Sequence, residues 1–518
     1  MMKKNSILRF GDYDNEGYSF AGYKRYLISH PWSMITTAFF LLLGFGQKML
    51  SNTFSIDTQS LIQVPNDLYG SWFELNRFML VALKKVTGTS WYNNALASFL
   101  MVILFGAATT VWGYALYCAP SGKKINPIYF MVPLVVSPIM AEQLGFLLQA
   151  PEICIGLIAI AVALMLLQNT HSSHYRLYII LAVLLAAFAF SLYAAMVTIF
   201  IAAVAMIFVL KYREYNRFKP FMANYIVVNA IACILAYTIY VVVNKIVLAI
   251  MHLQVNAYIT EQSRWGKDSF STIAHSLLSQ MYNMYTGKGI YYSAIFTFLI
   301  TLSISLMIYR LVRKEVSFVL VIIYIAICIS PMLMPTLLGG TASIRTEMTY
   351  PWSFAFVVMF TAAELLHFHV SKIVTLLLLA CIGFNQGFIS NRIFYTESVI
   401  YNQDVALANA VANRIGIVSG KEIPDVPVVF IGSHSARCNN DCYTASQLEL
   451  VGRSLFEITF STQHGTWVKN QFMGVQGFQY QLPSNDQMKN ADKLATGMPQ
   501  WPAEGSVSMQ NGYIIVKF

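Results

Sequence analysis

Eleven long apolar runs follow one another along this chain, at 33–50, 95–118, 126–141, 152–168, 176–190, 192–210, 224–250, 291–310, 317–335, 350–366 and 372–389. They constrain the fold more than any other feature. A backbone that enters lipid must satisfy its own hydrogen bonds, so it crosses as helices or as a closed barrel. These runs are continuously apolar, not alternating, which predicts helices. Several fall short of the ~20 residues a span requires, and the pairs at 126–168 and 176–210 have scarcely any linker, so broken or re-entrant segments are expected there. Charged residues make up 11% of the chain, against about 25% in soluble proteins. The net charge of +10 would suggest nucleic acid in a soluble protein. Here it reads as topology, and no nucleic-acid partner is expected.

The basic residues support one orientation. With the N-terminus cytoplasmic, the cytoplasmic segments, including Lys3, Lys4, Arg9, Lys123, Lys124, Arg213 and Arg313, hold sixteen Lys and Arg, and the short outer loops hold seven. That is the positive-inside bias. No cleavable signal pattern is expected, so residues 1–32 read as a cytoplasmic segment and the first run as its own membrane signal. The membrane domain reads as 33–390, with outer loops at 51–94, 251–290 and 336–349, and residues 391–518 as a periplasmic domain. In that domain "YNQDVALANAVANRIG" predicts a helix with Val405, Ala408, Val411, Ala412 and Ile415 on one face, while "VPVVFIGSH" and "GYIIVKF" predict buried strands. The expected fold is a polytopic α-helical membrane protein of about eleven spans with a small C-terminal α/β domain. In "CNNDC", Cys438 and Cys442 form either a local disulfide in an oxidising compartment or two free thiols. The other five cysteines lie in or beside apolar runs.

Ionisable groups near a bilayer are costly to place and merit a functional hypothesis. The stretch 54–78 holds Asp57, Asp67, Glu74 and Arg77, with Trp72 and, further on, Trp91 as candidate interface anchors. It reads either as an amphipathic helix with solvated acids or as part of a site. Asp57, seven residues beyond the first run, is the acid best placed for chemistry. Glu142 and Glu152, in "MAEQLGFLLQAPEICIG", lack basic neighbours in sequence and read equally as interfacial carboxylates or functional groups. The loop 251–290, with Arg264 and Trp265, suits an ordinary membrane interface or sugar stacking. Arg345, in "LLGGTASIRTEMTYPW", presents a fork that fits a phosphate, or an ion pair with Glu347 or Glu142. No nucleotide-binding loop, zinc-protease motif or nucleophile elbow is present.

Taken together, these stretches resemble the bacterial serotype-converting O-antigen glucosyltransferases, typified by the type II glucosyltransferase, of the GT-C class. The resemblance rests on the acid after the first span with Trp72, Asn76, Arg77 and Phe78, and on "PIMAEQLGFLLQAPE", "SIRTEMTYPWSFAF", "NRIFYTESVIYNQDVALANAVANRI" and "MPQWPAEGSVSMQNGYIIVKF". Two departures stand out: Thr58 follows Asp57 where the family has a second acid, and Asn76 stands where Gly is usual. The resemblance implies a bacterial inner-membrane enzyme that moves a hexose, usually glucose, from undecaprenyl phosphate to lipopolysaccharide O-antigen on the periplasmic face by one inverting displacement. It implies Asp57, or else Asp67, as the base. Arg345, aided by Arg77 or Arg264, would meet the leaving phosphate. Glu142, Glu152, Trp72 and Trp265 would meet sugar or acceptor. The scheme requires no metal or cofactor, though a divalent ion between carboxylates and phosphate stays compatible with it. A donor synthase and a lipid-sugar flippase would act in the same pathway. Alternatives are a related transferase or polymerase with another acceptor, and a lipid-sugar transporter.

Overall fold

A computed structural model describes residues 18–87, 92–120, 122–170, 172–458 and 460–518. Trp91 and the basic residues Lys3, Lys4 and Arg9 lie outside them. Among the described residues, nine helical stretches are long and apolar enough to cross a membrane. Two further apolar segments stand apart: Met196–Tyr212 is shorter, with 17 residues, and the pair Ile128–Val135 and Pro138–Gly145 is long and apolar enough only when taken together, bent by 52°. Every apolar run of the sequence falls on one of these elements. The bend has a covalent cause. Pro138 lacks an N–H, and its ring would clash with the carbonyl one turn back in a continuous helix, so the chain breaks at Ser137, which is extended with ψ 123°.

The helix Pro31–Leu50 packs closely along Lys372–Ser419. A Cβ on Gly383 would lie 2.6 Å from the Phe40 ring, and one on Gly387 would lie 2.9 Å from Leu43. Small residues at such crossings let backbones approach, which is how helices gain contact in lipid. Lys372–Ser419 is a single helix of 48 residues. At 1.5 Å per residue it runs about 70 Å, more than twice the ~30 Å hydrocarbon layer. The boundary read from the sequence at 390/391 lies within this helix, which continues into the predicted tail helix. There Ala408, Val411, Ala412 and Ile415 are buried.

Three strands follow: β1 (Val428–Ile431), β2 (Val507–Gln510) and β3 (Tyr513–Lys517), in the order β1-β3-β2. β1 runs parallel to β3, with Val428 opposite Ile514, and β2 runs antiparallel to it. Asn511 and Gly512, at φ 50° and 77°, make the two-residue turn between β2 and β3, as a hairpin with left-handed central residues requires. The sheet does not pack only on its own domain. Phe54, Ile56, Trp72 and Leu80 share one buried core with Phe430, Phe472, Val516 and Ala408. The stretch after the first span is thus sandwiched between the helical bundle and the C-terminal region.

Candidate functional site

Asp57 sits at the head of the helix Thr58–Gln63 in the left-handed conformation, φ 71°. Aspartate is one of the few residues that tolerates this region and a preferred helix cap, yet its side chain makes no capping hydrogen bond. Only its backbone carbonyl serves the helix, accepting from Ser60 N at 3.2 Å. The half-buried carboxylate is left facing charges from three other parts of the chain. Burial raises its pKa above the ordinary value, against the opposing pull of Arg345, His464 and Arg77.

Each arginine is presented by a turn. The helix Pro65–Glu74 ends with Arg77 N donating to Trp72 O at 2.9 Å and Asn76 N to Phe73 O at 3.0 Å. Asn76 takes φ 63°. This closure needs a left-handed residue, for which glycine and asparagine are suited. The departure from glycine at this position therefore leaves the turn intact. It also adds a side chain, whose Oδ1 accepts a hydrogen bond from Asn244. Arg77 Nη1 donates to Gln149 Oε1 at 3.0 Å, and its guanidinium lies 4.9 Å from the Tyr193 ring. Arg345 follows the Gly339–Gly340 turn on the short helix Ile344–Thr346, with its guanidinium 4.9 Å from the Phe146 ring.

The ion pair expected between Arg345 and Glu347 or Glu142 is not the one formed. Arg345 meets Glu449 instead: its backbone N donates to Oε2 at 2.9 Å, while Nη1 stands 3.8 Å from Oε1 without a hydrogen-bond partner. Burial pulls the Arg345 pKa down, and Glu449, Tyr193, Tyr258 and Asp57 more than offset it. Glu449 belongs to a strap of the C-terminal region that Glu142 clamps, accepting from Glu449 N at 3.1 Å and Val451 N at 3.3 Å. Gly145 makes room for this strap, since a Cβ there would lie 2.7 Å from Val451. Cys438 and Cys442, joined as a disulfide with Cα atoms 5.7 Å apart, close the preceding turn. Arg392 donates to the carbonyls of Asn440, Asp441 and Cys442 at 3.0, 2.6 and 3.1 Å in that turn.

The other predicted residues lie elsewhere. Asp67 is exposed in the first turn of its helix, where a carboxylate complements the helix N-terminus. Trp72, read as a sugar-facing ring, is 3% exposed and packed on Tyr69 with rings 5.7 Å apart. Glu152 pairs with Lys84 at 2.9 Å, both buried. Glu347 accepts from Gln280 and Tyr291 and is pushed up to about 8, chiefly by burial. Arg264 lies 4.0 Å from Asp268, and the half-exposed Trp265 donates to Thr336 O at 2.9 Å.

Sequence reasoning missed Glu449, His464, Gln149 and Tyr193. An acid or histidine in a polar tail carries no local signal of a distant partner. Lys48 was also missed, although a lysine inside an apolar run is a signal in itself. It pairs with Glu397 at 2.6 Å and donates to Thr53 O at 2.9 Å, anchoring the start of the Asp57 loop. Among the described residues, no three of His, Cys, Asp and Glu converge as a metal site.

The arrangement gathers one carboxylate free of capping and two arginines, one of them with an unpartnered nitrogen, at the join between bundle and C-terminal region. Such a site can take a proton from a neutral nucleophile and stabilise a departing oxyanion. A family model described as Glucosyl transferase GtrII matches residues 46–362. The match spans Asp57, Arg77 and Arg345, while Glu449 and His464 lie beyond it. Among curated proteins and among solved structures, nothing matches the chain.

Proposed function

The chain belongs to the glucosyl transferase GtrII family and is by that membership a glycosyltransferase, and from this premise we propose that it moves a hexose, glucose first among them, from undecaprenyl phosphate to a hydroxyl of lipopolysaccharide O-antigen. The reaction would take place on the periplasmic face of the bacterial inner membrane. One observation carries the reading: the Asp57 carboxylate, in a left-handed turn and free of capping duty, faces Arg77 and Arg345.

The acceptor hydroxyl oxygen attacks the anomeric carbon as its proton passes to Asp57. The bond from that carbon to the phosphate oxygen breaks, its electron pair leaves with the lipid phosphate, and the anomeric configuration inverts. A base works best with a pKa near the working pH, and burial moves Asp57 in that direction. The developing phosphate charge falls to Arg345, whose Nη1 lacks a hydrogen-bond partner, with Arg77 beside it. Preformed donors of this kind stabilise a transition state without reorganising. Glu142 works at one remove, holding the strap that carries Glu449. The scheme draws on no cofactor. The lipid donor and the polysaccharide are its two substrates.

Expression of wild type and Asp57→Asn in a host that makes a defined O-antigen and the lipid-linked glucose tests this, with mass spectrometry of the polysaccharide. One added hexose per repeat in wild type, absent in a properly inserted Asp57→Asn, is the expected result. A gain that survives the substitution removes Asp57 as the base. No gain in wild type removes the donor–acceptor pair.

A further inference from the structure

A cavity opens at the turn that precedes Arg345. It is a cleft of about 430 Å³ lined by Gln262, Arg264, Asp268, Thr272, Ser276 and Ser343, with Gly339 and Gly340 in its wall. That volume lies in the ~300–1,000 Å³ range of small-molecule sites, but such sites are mostly apolar and this one is lined by hydroxyl, amide and carboxylate groups. Arg264 and Asp268 face each other at 4.0 Å, so their charges offset and the cleft offers donors and acceptors without a net charge. The wall has to be thin. A Cβ on Gly339 would lie 2.9 Å from Trp265 Nε1, and one on Gly340 would lie 3.2 Å from the Arg264 side chain. Trp265 remains 46% exposed beside it.

The cleft connects to the reacting groups through two elements. Ser343 immediately precedes the short helix Ile344–Thr346 that carries Arg345. Gln262 ends the helix Ala257–Gln262, and Tyr258, one turn earlier on the same face, is among the phenols that act on Arg77 and Arg345. We infer that this cleft is the subsite for the acceptor, a neutral polyhydroxylated saccharide whose reacting hydroxyl extends past Tyr258 toward Asp57. A polyprenyl chain fits an apolar groove, and a phosphate fits unpaired cations. A lining of amides, hydroxyls and one internally offset ion pair, with an indole at its edge, fits a sugar. The inference rests on the transferase reading for the identity of that saccharide and places Arg264 with the acceptor rather than the donor phosphate.

The test uses the full chain in lipid nanodiscs. The probe is O-polysaccharide freed of lipid A by mild acid, with binding followed by saturation-transfer NMR in the absence of donor. Gln262→Ala and Asp268→Asn are expected to weaken binding several-fold and Ser276→Phe, which fills the cleft, at least tenfold. The KM for lipid-linked hexose should stay within twofold in each. Gln262 and Asp268 lie toward solvent, so these two variants carry the test if Ser276→Phe fails to fold. Wild-type affinity in all three variants, or a raised donor KM with unchanged polysaccharide binding, overturns the inference. Active transfer with an unaltered acceptor KM in the variants sinks the cleft and leaves the transferase standing. Polysaccharide binding that depends on the cleft, in a wild type that transfers no hexose, keeps the saccharide site and sinks the proposed donor.

Discussion

Two groups of charged residues in this protein are both withdrawn from water, and they are arranged in opposite ways. Lys48 and Glu397 lie 2.6 Å apart with side-chain exposures of 0% and 3%, and the lysine has a further acceptor in Thr53 O. Arg310 likewise donates to both oxygens of Glu364, at 2.9 and 3.1 Å. These pairs satisfy each other. At the join with the C-terminal region, Asp57 has no side-chain hydrogen bond to its helix, and Arg345 stands 3.8 Å from Glu449 with one nitrogen unpartnered. Burying a charge without a full set of partners is costly. A fold keeps such a cost where a ligand supplies the missing partner. The closed pairs are thus read as fastening and the open cluster as chemistry.

The comparison breaks most sharply at Asp57. Asp57→Asn keeps the size of the side chain and removes the base, so the transfer rate should fall by about 10³-fold while the detergent-solubilised protein melts as wild type does. A similar fall in stability would move Asp57 into the fastening group. Next in size is Lys48→Met, which leaves Glu397 buried alone and should destabilise by about 3–5 kcal/mol. The double change Lys48→Met with Glu397→Met should recover most of it, read as melting temperature. A double variant no better than the single one would show that Lys48 does more than fasten. Arg345→Lys keeps the charge and loses the fork. A fall in kcat of about tenfold to a hundredfold, with the melt unchanged, is expected, and an unaltered kcat would remove Arg345 from the phosphate.

The smallest effect concerns Glu347, which sharpens the comparison because it is buried and, among the described residues, forms no ion pair. Its folded pKa of about 8 lies above its ordinary value of 4.5. The folded state therefore holds the proton more tightly than the unfolded chain does. Stability is retained at the acidic end of this window and declines as pH rises from about 4.5 to 8. Thermal melts at pH 5 and pH 8 should differ by a few degrees, and Glu347→Gln should reduce that difference. An equal difference in the variant assigns the pH dependence to other groups.

Much of this architecture was legible in the sequence because its causes are local. Apolar runs without alternation give helices wherever they occur, and Pro138 breaks one of them by its own covalent geometry. Val428–Ile431 and Tyr513–Lys517 read as strands from their β-branched residues. β2, Val507–Gln510, did not, because a short half-exposed strand takes its structure from the neighbour it pairs with. For the candidate site, Asp57, Arg77 and Arg345 stood out as charges beside apolar runs, and the structure places them together. Trp72, which the sequence offered as a sugar-facing ring, is packed into the core shared with the C-terminal sheet.

The sequence by itself determined which segments are apolar and helical, where the turns fall, and that a handful of ionisable groups lie beside them. These follow from periodicity, proline geometry and the cost of placing charge near lipid. Only the tertiary structure decided the partners. Nothing within a few residues of Glu449 or His464 marks them as neighbours of Arg345 and Asp57, which lie more than a hundred positions away in the chain. Nor does anything near Lys48 name Glu397. Hydrophobic burial is non-directional and can be read from composition. The pairing of charges depends on distances of a few ångströms between distant segments, and those exist only once the 48-residue helix has carried the C-terminal region back onto the loop that follows the first span.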